Sequence, residues 1–195
     1  MTPRADGVFV HPDGRCESDH VGAGTRVWAF AHVLPGAVIG VDCNVCDHTY
    51  VETGAVVGNG VTIKNGVQIW DGVTLEDDVF VGPNATFTND LRPRAFMKKD
   101  PSEFLPTLVR RGATIGANAT LVCGITVGEE ALVAAGAVVT GDVPARAFVA
   151  GSPAARKGWV CTCGERLGED LACAKCGRRF RLVDEQTGLE SARDE

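Results

Sequence analysis

The 195-residue sequence predicts an all-β solenoid with one long loop and a small cysteine module near its C-terminal end. Three observations predict it. Large apolar residues recur with a period of six, a basic and proline-bearing segment interrupts that period, and four cysteines gather beyond the last repeat.

The repeat carries most of the argument. Every sixth residue from Val21 is large and apolar: Val27, Val33, Ile39, Val45, Val51, Val57, Ile63, Ile69, Leu75, Val81 and Phe87 follow. Four positions after each stands a small or β-branched residue, as in Thr25, Ala31, Ala37, Cys43 and Thr49. A second run, four positions out of register, holds Ile115, Leu121, Val127, Val133 and Val139. A period of six fits neither an amphipathic helix nor an alternating strand. It fits a triangular solenoid in which each hexapeptide makes one side, with the large residue inward and the small one near the corner. The 24 glycines supply frequent turns. A valine-rich β-sandwich has no reason to hold this register.

The organisation follows. Residues 1–158 form the solenoid domain. The repeat breaks once, between Phe87 and Ile115, and a loop insertion over 88–112 contains Pro93, Pro101 and Pro106. Residues 159–183 form the cysteine module, and the polar residues 184–195 are expected to be a disordered tail.

Charge narrows the function. The net charge of −6 argues against a general nucleic-acid binder. Residues 1–87 hold four Lys/Arg against eleven Asp/Glu, whereas residues 88–112 hold six against three. That basic loop suits a small anionic ligand such as a phosphate, or is a solvated surface. The N-terminus lacks the apolar run of a signal peptide, and no stretch is long enough to span a bilayer, so the protein is expected to be cytoplasmic. In that compartment cysteines read as metal ligands where their spacing permits. Cys161, Cys163, Cys173 and Cys176 follow C-x-C-x₉-C-x₂-C, with Gly164 and Gly177 after each pair, and are predicted to hold one structural zinc. Cys43 and Cys46 share C-x₂-C spacing, but Cys43 is an inward position, so that pair reads as core and wall.

Residues 135–155, AGAVVTGDVPARAFVAGSPAA, resemble the C-terminal signature of the hexapeptide-repeat acyltransferases. That resemblance implies a left-handed parallel β-helix, a homotrimer with its site between subunits, and acyl-CoA as donor. Residues 66–94, GVQIWDGVTLEDDVFVGPNATFTNDLRPR, and 112–140, GATIGANATLVCGITVGEEALVAAGAVVT, are similar to nucleotide-sugar 3-N-acetyltransferases. His48 in CDHTYVE and the WDG and GPNATFTND segments look most like enzymes acting on dTDP-3-amino-3,6-dideoxyhexoses. Enzymes acting on UDP-2-acetamido-3-amino-2,3-dideoxy-glucuronate share much of the pattern and are the alternative. A non-catalytic scaffold is the alternative of another class. The cysteine module lies outside the core family pattern.

Three hexads make a coil, so residues three hexads apart stack in columns about 4.8 Å per step. His48, Gly66 and Asn84 share one column, Thr53, Asp71 and Asn89 another, and Glu52, Trp70 and Thr88 a third. Gly66 is expected to leave room for a ligand between His48 and Asn84. Trp70 follows the inward Ile69 and is expected to point outward, as a subunit contact or a stacking surface. The implied reaction is transfer of acetyl from acetyl-CoA to a sugar amine. Asn84 would hold the amine or the oxyanion, and His48 would act as base or positioner. Glu52, Trp70, Asp71, Asn89, Asp90, Arg92 and Arg94 would bind the nucleotide sugar. The small residues Ala117, Ala134 and Ala135 would face the pantetheine arm. The Gly151–Ser152–Pro153 turn would meet the adenine end, and Arg156 and Lys157 the phosphates of CoA. Phe87-Thr88-Asn89-Asp90 lacks the histidine that sugar O-acetyltransferases of this superfamily share, which favours N-acylation. His11, His20, His32 and His48 lack the close pair a carbonic-anhydrase metal site needs, and no regular threonine ladder of an antifreeze solenoid is present.

Overall fold

The computed structural model describes residues 6–192. Nearly every hexad forms a short strand, mostly of two residues whose first side chain faces outward and whose second faces inward, and Val21 makes an isolated bridge to Ile39. Successive strands fall in turn on three faces, each a parallel sheet. The first face includes Arg26–Val27, Asn44–Val45, Thr62–Ile63 and Phe80–Val81. The second includes His32–Val33, Tyr50–Val51, Gln68–Ile69 and Thr86–Phe87. The third includes Val38–Ile39, Val56–Val57 and Val73–Leu75. The register advances by three hexads per coil: Val27 lies beside Val45 and Val45 beside Ile63. These inward residues are fully buried. Burying one such side chain is worth about 1.5–3 kcal/mol, so a one-residue slip, which would turn every one outward, is strongly opposed. The only helix among the described residues is the single 3₁₀ turn Pro101–Glu103 in the loop, capped by the Asp100 side chain.

The solenoid is longer than the hexad count predicts. At the N-terminal end Val10 pairs with Val27 and Cys16 with Val33, so the first coil falls one residue short of three hexads and escapes a strict period of six. After the loop the third face resumes at Thr107–Val109, which pairs with Val73–Leu75. Val109 is fully buried, with Ala113 four positions on, so the hexad rhythm returns before Ile115 and the insertion ends near Pro106 rather than at residue 112.

The C-terminal end is capped. Ala147–Ala150 continues the first face, and Ala155–Trp159 folds back antiparallel against it, covering the open sheet edge. The tail expected to be disordered from residue 184 instead supplies a strand: Gly188–Ser191 pairs antiparallel with Phe180–Asp184. Three anchors explain its order. Leu189 is 2% exposed, and Gly188 bridges Ala145 so closely that a Cβ there would collide with the Ala145 backbone. Arg146, 8% exposed, donates to the Leu189 carbonyl at 2.9 Å, pairs with Glu130 at 3.0 Å and lies 5.1 Å from the Phe180 ring. A buried arginine with these partners ties the hairpin to the last coil; removing one member of such a pair typically costs several kcal/mol. Residues 193–195 of the expected tail lie outside the described residues.

Candidate active site

Two edges of the prism carry the candidate residues. From the second coil onward the edge between the first and second faces presents one left-handed residue per coil: Phe30, His48, Gly66, Asn84, Asn118 and Gly136. Asparagine and histidine tolerate this conformation better than most side chains, and His48 adopts φ +59° and Asn84 φ +56°. Both side chains are exposed. A Cβ on Gly66 would lie 2.5 Å from Asn84 Oδ1, so the carboxamide leans back over Gly66 toward His48. The room expected at Gly66 is therefore occupied by Asn84 itself, and His48 and Asn84 share a continuous ledge. On its other side the His48 ring stacks on Phe30, with centroids 5.0 Å apart and planes 15° apart.

The same edge continues past Ala117, Ala134 and Ala135. Gly82 and Gly116 let these corners stack closely: a Cβ on Gly82 would approach the Ala117 nitrogen to 2.6 Å, and one on Gly116 would press on the Ala135 nitrogen. The Gly151–Ser152–Pro153 turn completes the edge, with Gly151 O accepting from Val138 N at 2.9 Å and Ala154 N donating to Val138 O at 2.7 Å. Candidate chemistry and candidate donor contacts thus lie in one line. Arg156 and Lys157 leave it, in the antiparallel strand; Arg156 pairs with Glu185 and lies 4.3 Å from the Trp159 ring.

The edge between the second and third faces carries the rest. Glu52, Trp70, Asp71 and Asn89 line a groove of about 560 Å³ with Thr53, Leu34 and the loop residues Pro101 and Phe104. Glu52 Oε2 accepts from Asp71 N at 2.9 Å. Trp70 does not project freely: it is half-buried, packs on the core, and donates from Nε1 to Phe87 O at 2.8 Å. The loop leaves from this groove, its neck closed by Leu105 N donating to Asn89 O at 3.0 Å. Asp90 braces the loop, accepting from Arg92 N at 2.7 Å and from the Lys99 ammonium, which holds its carboxyl below the usual range. Arg92 and Arg94 line a neighbouring concavity of about 590 Å³ with Met97, Lys98, Lys99 and Glu103. Lys98, Lys99 and Phe104 escape a reading of the sequence as individual residues; the local charge excess is the available signal for the two lysines. The columns therefore form as expected, but His48 and Asn84 stand on the opposite edge of the second face from Trp70 and Asp71, with Tyr50, Gln68 and Thr86 between them.

In the cysteine module, the Sγ atoms of Cys161, Cys163, Cys173 and Cys176 lie within 4.8 Å of one another. Cys161 and Cys176 are 3.5 Å apart, and Cys163 and Cys173 3.6 Å. Four thiolates around a tetrahedral zinc at about 2.3 Å stand about 3.8 Å apart, so the donor set fits that metal. Burial pushes the Cys161 thiol up to about 12, while the Arg178 backbone N–H helps to pull Cys176 down to about 6. Cys43 and Cys46 are both buried, Cys43 donating to Gly58 O at 3.0 Å, as a core-and-wall pair should.

Comparison with known proteins agrees with this architecture. Residues 54–89 match the bacterial transferase hexapeptide (six repeats) model, and residues 111–141 the hexapeptide repeat of succinyl-transferase. The chain is 47% identical over 186 residues to the dTDP-3-amino-3,6-dideoxy-alpha-D-galactopyranose 3-N-acetyltransferase of Aneurinibacillus thermoaerophilus, covering 94% of this chain and 96% of that one. A 2,3,4,5-tetrahydropyridine-2,6-dicarboxylate N-acetyltransferase of Staphylococcus aureus (strain JH9) matches over 55 residues only, at 51% identity, 28% of this chain and 23% of its own length. The acetyltransferase domain of PglB from Neisseria gonorrhoeae FA1090, solved with acetyl coenzyme A, shares the fold with a TM-score of 0.56 at 24% identity, over 77% of this chain and 58% of that one. The fold and these matches define the hexapeptide-repeat acyltransferase class. Within that class, the chain belongs to the nucleotide-sugar N-acetyltransferases. The match to the Aneurinibacillus enzyme is long enough to run through the cysteine module as well as the solenoid.

Gly66→Ala tests the ledge. The methyl group meets Asn84 Oδ1 at a φ of +74°, so stability should fall by about 1 kcal/mol and acetyl transfer should fall at least tenfold as the carboxamide is displaced. Gly60→Ala is the control. It has φ +66° and a Cβ 2.6 Å from Asp78 Oδ1, but on the third edge, and it should lose similar stability while keeping its rate. Equal rates in the two variants would remove Asn84 from the chemistry.

Proposed function

We propose that this protein transfers the acetyl group of acetyl-CoA to the 3-amino group of a dTDP-linked 3-amino-3,6-dideoxyhexose. The observation that carries the proposal is the 47% identity to the Aneurinibacillus enzyme over nearly the whole of both chains. The single edge that aligns His48 and Asn84 with Ala117, Ala134, Ala135 and the Gly151–Pro153 turn supports it. A sugar amine flanked by electron-withdrawing oxygens is less basic than lysine, whose reference pKa is about 10.4, so its neutral form is accessible near pH 7. The amine nitrogen attacks the thioester carbon, the C–N bond forms, the C–S bond breaks, and the proton lost by nitrogen is taken up by the departing sulfur, so CoA leaves as the thiol. Asn84 holds the amine or the oxyanion of the tetrahedral intermediate, and His48 stands beside it at the same ledge. Positioning then supplies much of the rate. Arg92 and Arg94 grip the diphosphate in bidentate fashion, and the Trp70 groove receives the sugar nucleotide. Use of acetyl-CoA agrees with a cytoplasmic enzyme.

A thiol-release assay with acetyl-CoA and a panel of nucleotide-linked amino sugars tests the activity. Turnover should be fastest with the dTDP-linked 3-amino-3,6-dideoxyhexoses. Faster turnover of the UDP-linked 3-amino uronate would reassign the substrate, and no turnover of any amino sugar would point to a scaffold. Asn84→Ala should lower kcat/KM by about tenfold to a thousandfold with the fold intact. In His48→Ala, a shifted pH profile assigns His48 as base, and a large loss with an unchanged profile assigns it as positioner.

The separation of the two edges favours a site shared between copies of the chain, and we take the active form to be a homotrimer in which the loop groove of one subunit faces the His48–Asn84 edge of the next. Sedimentation should give three chains per particle. Mixed trimers refolded from Asn84→Ala and Trp70→Ala chains should be more active than trimers of either variant alone, because some interfaces then carry both intact edges. An active monomer sinks this arrangement.

The cysteine module holds one structural zinc, with four thiolates closing the tetrahedral shell and leaving no open position for catalysis. A module this small buries little apolar area, so metal binding supplies much of its folding energy. Metal analysis should find about one zinc per chain. It should be lost in Cys173→Ser/Cys176→Ser, while acetyl transfer by the solenoid persists. A disulfide in place of the metal overturns the assignment.

A further inference from the structure

Phe30 occupies a corner that suits it poorly. Its φ of +58° is the left-handed region, where a Cβ carries a steric cost. Asparagine, aspartate and histidine offset that cost by local hydrogen bonding; a phenyl ring has no such compensation. Nor does burial explain it, since Phe30 is 59% exposed. Its neighbours on the edge in the later coils, His48, Gly66, Asn84, Asn118 and Gly136, are all residue types that accept this backbone more readily.

The ring has one evident partner. His48 N donates to Ala29 O at 3.2 Å, which ties the two corners together, and Phe30 N donates to Asp13 O at 2.9 Å, which ties the Phe30 corner to the coil before it. The rings then lie 5.0 Å apart at 15°. Among the described residues nothing hydrogen-bonds to the His48 imidazole, so this stack is the contact that orients it. On the far side of His48 stands Gly66, over which the Asn84 carboxamide leans.

We infer that Phe30 is a positioning residue of the acetyl-transfer site: its exposed ring holds the His48 imidazole in the plane that faces Asn84 and the bound amine. This rests on the reading of His48 as a site residue. Within the chain the ring's aromatic contact is His48, and a strained, exposed aromatic one step from a candidate catalytic group is where stored strain is expected to serve function.

A double-mutant cycle decides it, using the full-length enzyme and the thiol-release assay. Phe30→Leu should keep the thermal midpoint of the parent and lower kcat about threefold to tenfold, with KM for both substrates within about twofold. Phe30→Tyr, which keeps the stacking face, should restore kcat. In the His48→Ala background Phe30→Leu should cause no further loss, because the ring it positions is gone. Multiplying losses would instead make Phe30 an independent substrate contact and overturn the inference. A crippled His48→Ala beside a Phe30→Leu of parental kcat overturns the role of Phe30 alone. A parental rate in His48→Ala overturns the reading of His48 and this role with it.

Discussion

Strands of two residues cannot hold a sheet by length; they hold it by register. Each coil of this chain is paired to the next at a spacing of three hexads, with the inward side chain of every strand on top of its predecessor. The buried column of Val27, Val45, Ile63 and Val81 on one face is repeated on the other two. Slipping by one residue would expose all three columns at once, so the register is enforced by the whole core. The outer surface inherits the same constraint. A polar side chain at a corner can meet only what stands one coil above or below it, or what is carried on the same edge.

That constraint explains the form of the candidate site. From the second coil onward the first edge turns in the left-handed region, and after Phe30 it does so at glycine, asparagine or histidine. Those are also residue types able to handle an amine or an oxyanion. Asn84 can lean over only because Gly66 has no Cβ, and the lack of a Cβ at Gly82 and Gly116 lets the later corners stack closely. The backbone demand of the solenoid and the chemical demand of acyl transfer thus select from an overlapping set of side chains.

The periodicity makes much of this legible. A period of six implies three faces, three faces imply columns spaced by three hexads, and His48, Gly66 and Asn84 fall into one column from their positions in the sequence alone. What escapes is equally physical. One hexad advances the chain by one face, so residues five apart, such as His48 and Thr53, stand on different edges, with the second face between their columns. Val109 escapes because irregular loop precedes it, although its spacing to Ile115 is six. The order of residues 184–191 is invisible because it depends on Arg146 and Ala145, far earlier in the chain. Phe30 lies one full coil before His48, but a phenylalanine in a left-handed corner runs against its preference, and no pattern argument proposes it.

The cap and the loop do opposite work at the two ends of this constraint. A solenoid left open exposes unpaired strand edges that recruit further copies. Here the antiparallel strand Ala155–Trp159 covers the C-terminal edge, and the hairpin of Phe180–Asp184 and Gly188–Ser191 is pinned to the last coil through Arg146. The cysteine module, standing between these two elements in the chain, is thereby held to the solenoid at both of its ends. The loop, by contrast, leaves the lattice where Asn89 and Leu105 close its neck, and is free of the register beyond it. Its cationic side chains are therefore not held to the coil spacing, while the corners that carry His48 and Asn84 are fixed by it.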